Sequence, residues 1–344
     1  MDRRVVAFGE IMLRLASPRC ERFLQTPQFE ATFGGGEANV AVALASLGLP
    51  AAYVTVLPEN NPIADAVIGE LRRFNVDTSH VRRRQGRLGV YYIEAGANQR
   101  PSRVIYDREH SAIAAAHPRD IDWEAALAGA GWFHITGITP AISEAAAQLA
   151  MESVRAARAA GLAVSCDLNY RKNLWKWGKQ AREVMPLLVA FCDVLVANEE
   201  DLQMALGMET VGDVQSGGLD VRQYERLAGD VLSQYADIGI VAITLRESKS
   251  ASHNGWSACL KDRTGFFVSR RYEITHIVDR VGTGDSFAAG LIYGLLELKS
   301  PGEALEFATA LSCLKHSTPG DFSRTTLEEV EALLRGEGSG RVER

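Results

Sequence analysis

The chain has 344 residues, 47% of them apolar and 23% charged, with a net charge of −6 and a pI near 5.7. That length supports one large α/β domain or two small ones with a sizeable core, and the acidic balance argues against general attraction to nucleic acid. Five scattered cysteines (Cys20, Cys166, Cys192, Cys259, Cys313) include no C-x-x-C pair, and the histidines show no ligand spacing, so neither a disulfide framework nor a built-in zinc site is expected.

In chain order, short β-branched runs alternate with longer helical patterns. The expected strands are Val5–Gly9, Ala52–Leu57, Trp132–Thr136, Ala163–Asp167, Val194–Ala197 and Ile238–Leu245. Between them the apolar spacing predicts helices over Glu37–Leu47, Ile63–Phe74, Ser143–Ala160, Lys179–Phe191, Glu199–Leu206 and Val221–Tyr235. This alternation predicts a mainly parallel sheet with helices on both faces, because parallel strands need long crossovers. After Asp279 come two more helical patterns, Asp285–Leu298 and Pro301–His316, and a capped third near Thr325. The N-terminus is interrupted too soon for a signal peptide. The most apolar helical stretch, Phe287–Leu296, falls short of the ~20 residues that cross a bilayer, so a cytoplasmic protein with no membrane partner is expected.

Two stretches break the alternation. Residues 11–33 and 88–110 read as turn-interrupted strands, and Gly96-Ala97-Asn98 between Tyr91–Glu94 and Arg103–Tyr106 is a hairpin signal. They are expected to form a small sheet on the edge of the main domain, a common design for a lid. The run Arg82-Arg83-Arg84 reads as a solvated face, and 336–344 as a disordered tail beyond a domain spanning 1–335.

Two segments carry chemistry. In Asp279-Arg280-Val281-Gly282-Thr283-Gly284-Asp285, two glycines allow a tight turn whose N–H groups converge with a helix N-terminus, which suits a developing anion. A carboxylate at Asp285 is placed to take the proton of an attacking hydroxyl. The plainer alternative is a simple turn with Asp285 as an N-cap. In Gly34-Gly35-Gly36-Glu37-Ala38-Asn39, three glycines ahead of a helix let a ligand approach the backbone, and Asn39 is placed to bond a hydroxyl; a plainer possibility is an ordinary loop-to-helix junction. Neither segment completes G-x-G-x-x-G, and no G-x-x-x-x-G-K-[ST] occurs, which counts against a dinucleotide enzyme and a P-loop enzyme.

Together, in this order and with Asn198-Glu199-Glu200 between them, these motifs resemble the ribokinase/PfkB family of carbohydrate kinases over nearly the whole chain. The resemblance implies a ribokinase-like three-layer α/β/α fold with a small β-sheet lid, and ATP with Mg²⁺ as the phosphoryl-transfer partners. It implies Asp285 as general base, backbone N–H groups of Val281, Gly282, Thr283 and Gly284 as anion hole, and Gly34, Gly35 and Asn39 as the sugar loop. Asn198 and Glu200 match the segment that organises Mg²⁺ through water. Thr283 stands where alanine is commoner. Thr244 and Arg246 lie where many members carry a glycine after the leucine, so Arg246 is read either as a nucleotide-phosphate contact or as a solvated charge.

Tyr106-x-Arg108, Asn169-x-Arg171 and Asp321 resemble the branch of that family acting on 2-keto-3-deoxygluconate, in which arginines hold the acid group, and Tyr91 matches a further sugar contact. A plainer reading pairs the arginines with Asp107 or Glu109. A kinase for a neutral ketohexose such as fructose is also open, as is a non-catalytic sugar-acid sensor on the same fold. A projecting small sheet further predicts a homo-oligomer.

Overall fold

Aliphatic runs too short for a helix build the centre of the molecule. The computed structural model describes residues 3–209 and 220–337, and the expected disordered tail lies outside them apart from Gly336 and Glu337. The first strands are β1 (Val5–Phe8), β2 (Met12–Ala16), β3 (Glu30–Gly34), β4 (Ala51–Val54), β5 (Val56–Pro58), β6 (Arg82–Arg84), β7 (Val90–Glu94) and β8 (Arg103–Asp107). They are followed by β9 (Trp132–Thr136), β10 (Ala163–Asp167), β11 (Val194–Ala197), β12 (Ile240–Ser250), β13 (His253–Asp262), β14 (Phe266–Val268) and β15 (Tyr272–Ile274). The helices are α1 (Gly36–Ser46), α2 (Pro62–Arg73), α3 (Trp123–Leu127), α4 (Ile138–Ile142), α5 (Glu144–Ala159), α6 (Ala181–Val189), α7 (Glu199–Leu206), α8 (Val221–Gln234), α9 (Thr283–Glu297), α10 (Pro301–Lys315) and α11 (Leu327–Leu334).

The large sheet runs β14-β13-β12-β11-β10-β9-β1-β4, with β15 also on β13. It is parallel from β4 to β12 and antiparallel beyond. Alternation along β1 shows the three layers. Val6 and Phe8 join a core with Leu149 of α5 and Leu188 of α6, whereas Val5 and Ala7 face Leu44 of α1, Phe287 of α9 and Phe307 of α10. Full burial of one such side chain stabilises by about 1.5–3 kcal/mol, so the two cores hold the sheet rigid beneath the site. β1 has β4 on one side and β9 on the other, a point where strand order reverses and a crevice opens at the carboxyl ends.

A separate four-stranded sheet, β3-β2-β7-β8, contains both stretches that broke the alternation. The expected hairpin is present: β7 and β8 pair antiparallel, and Asn98 takes the left-handed turn conformation at φ 50.

Three expectations need correction. Ala52–Leu57 is two strands, since the chain leaves the large sheet after Val54 and β5 pairs with β6. The Arg82–Arg84 run is that β6 strand, not a free charged face: Arg83 donates to the Pro58 carbonyl at 2.8 Å and Arg84 to Asp120 at 2.8 Å. The strand expected over Ile238–Leu245 extends to Ser250, because β13 turns back on it and supplies a full antiparallel ladder.

Candidate active site

Gly282 is the N-cap of α9 in the left-handed region at φ 81. A Cβ there would lie 2.1 Å from the main-chain oxygen of Asp321, so glycine alone makes this turn without strain. The turn presents the first N–H groups of α9, which have no helical acceptors, together with the positive end of its dipole; the Val281 N–H, expected in the anion hole, is instead taken by Oδ1 of Asp279 at 3.0 Å. A Cβ on Gly284 would meet no heavy atom within 4 Å, so the space before the turn is open. Thr283 is tied down on both sides: its hydroxyl donates to the Arg280 carbonyl at 3.0 Å, and its own carbonyl accepts from Ser312 of α10 at 2.7 Å.

Asp285 is the third residue of α9 and is buried. It is no N-cap: Gly282 holds that place, and Oδ2 of Asp285 accepts from Nδ2 of Asn39 at 2.6 Å. The Asn39 amide therefore orients the carboxylate, whereas its sequence position suggested a bond to a substrate hydroxyl. Burial pushes the Asp285 carboxyl up to about 6, the Asn39 bond opposes this, and the nearby Asp321 adds to it. A carboxylate titrating there is ionised at neutral pH yet basic enough to accept a proton.

A buried carboxylate that the motifs did not flag fixes the start of α1. Oε1 of Glu37 accepts from Thr136 N at 3.0 Å and from the Thr136 and Thr139 hydroxyls at 2.8 Å each. Burial lifts it to about 7. These bonds pin the loop of Gly34 and Gly35 to the end of β9. The loop is also tight by contact, since a Cβ on Gly34 would lie 1.9 Å from Asp321 and one on Gly35 2.0 Å from the Glu10 carbonyl.

The small sheet forms the opposite wall. The Tyr91 hydroxyl donates to Oδ1 of Asp321 at 2.5 Å, and Arg14, a residue no motif indicated, donates to the same oxygen at 2.7 Å. Tyr106 is partly exposed and packs on Tyr91 at 5.8 Å between ring centroids. Arg108 is buried and bonds Glu10, which also accepts from Ser111 at 2.8 Å, while the Nε of Arg108 has no partner among the described residues. Asp107 pairs with Arg87 instead, so the plainer pairing with Arg108 does not occur.

From the large sheet come Asn169 and Arg171, just past β10. Asn169 has φ 38, and its Oδ1 is buried without a partner among the described residues. Arg171 is exposed, bonding the Tyr170 carbonyl at 2.9 Å and making no ion pair among the described residues. Asn198 caps α7 by accepting from Asp201 N at 2.9 Å, which places exposed Glu200 on that helix's first turn. Thr244 stands on β12, and Arg246 is exposed beside it. All of the predicted residues line one cleft of about 670 Å³.

Among the described residues no cluster of three or more His, Cys, Asp or Glu side chains could cage a metal, and no helix is long and apolar enough to cross a membrane. Asp167, Glu199, Glu200 and Asp201 also line the cleft, and a dication of the kind held by phosphates, water and one or two carboxylates would find its acids among them.

Comparison with known proteins shows the chain to be similar to carbohydrate kinases. A profile described as pfkB family carbohydrate kinase matches residues 2–326. The crystal structure of 2-dehydro-3-deoxygluconokinase from Thermotoga maritima is similar at 47% identity and TM-score 0.91, over 97% of this chain and 98% of that one. 2-Dehydro-3-deoxygalactonokinase from Haloferax volcanii is 34% identical over 99% of both chains. Fructokinase with bound ATP from Xylella fastidiosa, at 20% identity, shares the fold with a TM-score of 0.77 over 98% of this chain and 100% of that one.

Proposed function

We infer the reaction from one premise: the chain belongs to the pfkB family of carbohydrate kinases. We propose that it transfers the γ-phosphoryl group of ATP to the 6-hydroxyl of 2-keto-3-deoxygluconate (2-dehydro-3-deoxygluconate), giving the 6-phosphate and ADP. Asp285 accepts the hydroxyl proton as the oxygen attacks in line with the leaving ADP oxygen. The N–H groups of the Gly282–Gly284 turn stabilise charge on the transferred group, where fixed donors cost no reorganisation. Mg²⁺, when bound, would screen the phosphate charges, and Glu200, near Asn198, would hold it through water. Thr244 and Arg246, which line the same cleft, are assigned to the nucleotide, Arg246 to one of its phosphates.

The observation that carries the substrate is the pair of guanidiniums facing one cleft with capacity to spare. Among the described residues, Arg108 keeps an unpartnered buried Nε–H and Arg171 makes no ion pair. A buried donor without an acceptor is costly, and a ligand carboxylate supplies the missing acceptor with charge assistance. Tyr91, Tyr106, Asn169 and Asp321 line the sugar's length, and the small sheet serves as a lid over it. A sensor without chemistry has no use for a carboxylate held by Asn39 beneath an anion-binding turn. The names of the Thermotoga and Haloferax relatives support the 3-deoxy keto acids as a class.

The test is ADP release with Mg-ATP against 2-keto-3-deoxygluconate, its galacto epimer, fructose, ribose and 2-keto-gluconate. Strong preference for the 3-deoxy keto acids is expected; preference for a neutral sugar would overturn the assignment of Arg108 and Arg171. We further propose a cytoplasmic homo-oligomer, supported by Ile105 left exposed on β8, on the face opposite the one from which Val104 and Tyr106 line the cleft. A monomeric mass by light scattering would refute the oligomer.

A further inference from the structure

One buried charge cluster reaches the cleft wall through Asp279 and Asp321, and the guanidinium at its centre, Arg14, has no part in the proposed phosphoryl transfer. Arg14 sits in the middle of β2, with its side chain 7% exposed. One terminal nitrogen donates to Oδ1 of Asp321 at 2.7 Å and the other to Oδ2 of Asp279 at 2.6 Å. Both ends of its fork are therefore held by carboxylates from another part of the fold.

Those two carboxylates shape the anion-binding turn. Oδ1 of Asp279 accepts from Val281 N at 3.0 Å, and Oδ2 accepts from Gly320 N at 3.0 Å, so one side chain ties the approach to the turn to the loop after α10. Asp321 presses on the turn from behind, its main-chain oxygen occupying the place a Cβ of Gly282 would need. The small sheet reinforces the same joint. Tyr91, cross-strand from Arg14 in the β2/β7 register, donates to Asp321, and Val281 packs into the apolar cluster of Met12, Tyr91 and Ile93.

We propose that Arg14 is a positioning residue that locks the small sheet to the anion-binding turn, so that the wall over the sugar and the donors for the transferred phosphoryl group are set by one guanidinium. The proposal rests on the reading of that turn as the anion hole. A planar fork can hold two carboxylates in fixed directions, whereas an ammonium is a point charge with no such geometry. Sub-ångström misplacement of transition-state donors lowers turnover more than it lowers ground-state binding.

The experiment is a double-mutant cycle in steady-state kinetics with Mg-ATP and 2-keto-3-deoxygluconate, using Arg14→Lys, Asp279→Asn and the double variant. Arg14→Lys keeps a cation beside the buried acids, and Asp279→Asn keeps the size of the side chain, so both favour a folded protein. Circular dichroism and thermal melting establish the folded fraction to which rates are normalised. Each single variant is expected to lower kcat about 10-fold, with either KM changing less than about threefold. The double variant should be no worse than the weaker single, because both break the same lock. Unchanged kcat per folded molecule, effects that multiply in the double variant, or a loss confined to KM would each overturn the proposal. Asp285→Asn measured alongside separates the premises. If it retains turnover, the reading of the turn as a catalytic centre fails. If it is inactive while Arg14→Lys works normally, only the role of Arg14 fails.

Discussion

At the proposed phosphate end of the cleft the working atoms come from one short run of chain, Gly282 to Asp285, backed by Asn39 on Asp285 and Ser312 on Thr283. At the proposed sugar end they come from β2, β7, β8, the loop after β10 and the loop after α10, joined through buried ion pairs at Arg14 and Arg108. The first end is built by local backbone geometry and a helix N-terminus, which tolerate little but depend on few contacts. The second is built by long-range charge pairing, in which removal of one partner leaves the other buried and unpaired. Damage to the first end should therefore appear in turnover, and damage to the second in sugar binding or in folding, except at Arg14, whose fork reaches the turn through Asp279 and Asp321 and whose loss should appear in turnover.

The largest effect is expected at the first end. Asp285→Asn should lower kcat by about 10²–10⁴-fold, the usual share of general-base catalysis, with KM for ATP nearly unchanged. Retention of more than about a tenth of wild-type turnover would sink the base assignment. The sign on stability is opposite. The folded carboxyl, raised to about 6, lies above its ordinary value of 3.8, so its stabilising contribution is complete below about pH 4 and is lost as pH rises through 6. At pH 7.5 the wild type therefore carries an ionisation cost of about 1–3 kcal/mol that asparagine lacks, and the variant should melt at a higher temperature. The wild-type kcat/KM should fall on the acid side with a midpoint near 6, since only the ionised carboxylate accepts the proton. A flat profile down to pH 5 would contradict that assignment.

Next in size comes the second end. Arg171→Ala should raise KM for the sugar acid by about 10–100-fold, the value of one charge-assisted hydrogen bond, and leave KM for ATP within a few fold. Arg171 has no ion pair to lose among the described residues, so its removal should leave the melting temperature in place. Equal rises in both KM values would mean that it organises the cleft and does not grip the substrate.

A pair of glycines separates geometry from access within the first end. Gly282→Ala forces a side chain to φ 81 and against the Asp321 carbonyl, and should destabilise by about 1–3 kcal/mol, seen as a lower melting temperature. Gly284→Ala meets open space inside a helix, where alanine is the better former by up to about 1 kcal/mol, so stability should hold or rise. Its loss, if the turn receives a phosphoryl group, is in turnover alone. A Gly284→Ala enzyme with full activity would move the phosphate away from this turn.

The same contrast decides what is legible in the sequence. The parallel sheet, the helices on its two faces and the proposed catalytic turn are written in local spacing: β9, β10, β11 and α7 fall on their expected limits. Residues 253–274 carry no comparable signal, because β13, β14 and β15 are antiparallel additions whose edges pair only after the parallel core exists. Arg14, Glu10 and Glu37 leave none either, since a lone charged residue in an apolar run carries no period or motif. Their partners lie far along the chain, Arg14 with Asp279 and Asp321, Arg108 with Glu10 and Glu37 with Thr136. One cue is available: Arg14 is a charge inside Met12–Ala16, an otherwise apolar strand, and such a residue needs a buried partner.

The smallest effect tests whether charge pairing on the small sheet matters only where it is buried. Arg87 and Asp107 form an ion pair on the outer side of the sheet, with side chains 39% and 51% exposed, next in sequence to the buried Arg108. Solvent and salt screen such a pair, and its formation orders two flexible side chains. Asp107→Asn should therefore change stability by less than about 1 kcal/mol and leave both KM values and kcat within about twofold. The comparison partner is Arg108→Lys, one residue further, which replaces the planar fork beside Glu10 with a single ammonium and should weaken sugar binding markedly. If instead Asp107→Asn raised KM for the sugar acid as much as Arg108→Lys, the outer pair would be holding β8 in place over the cleft. The distinction between the sheet's buried and exposed faces would then give way to one in which the strand moves as a unit.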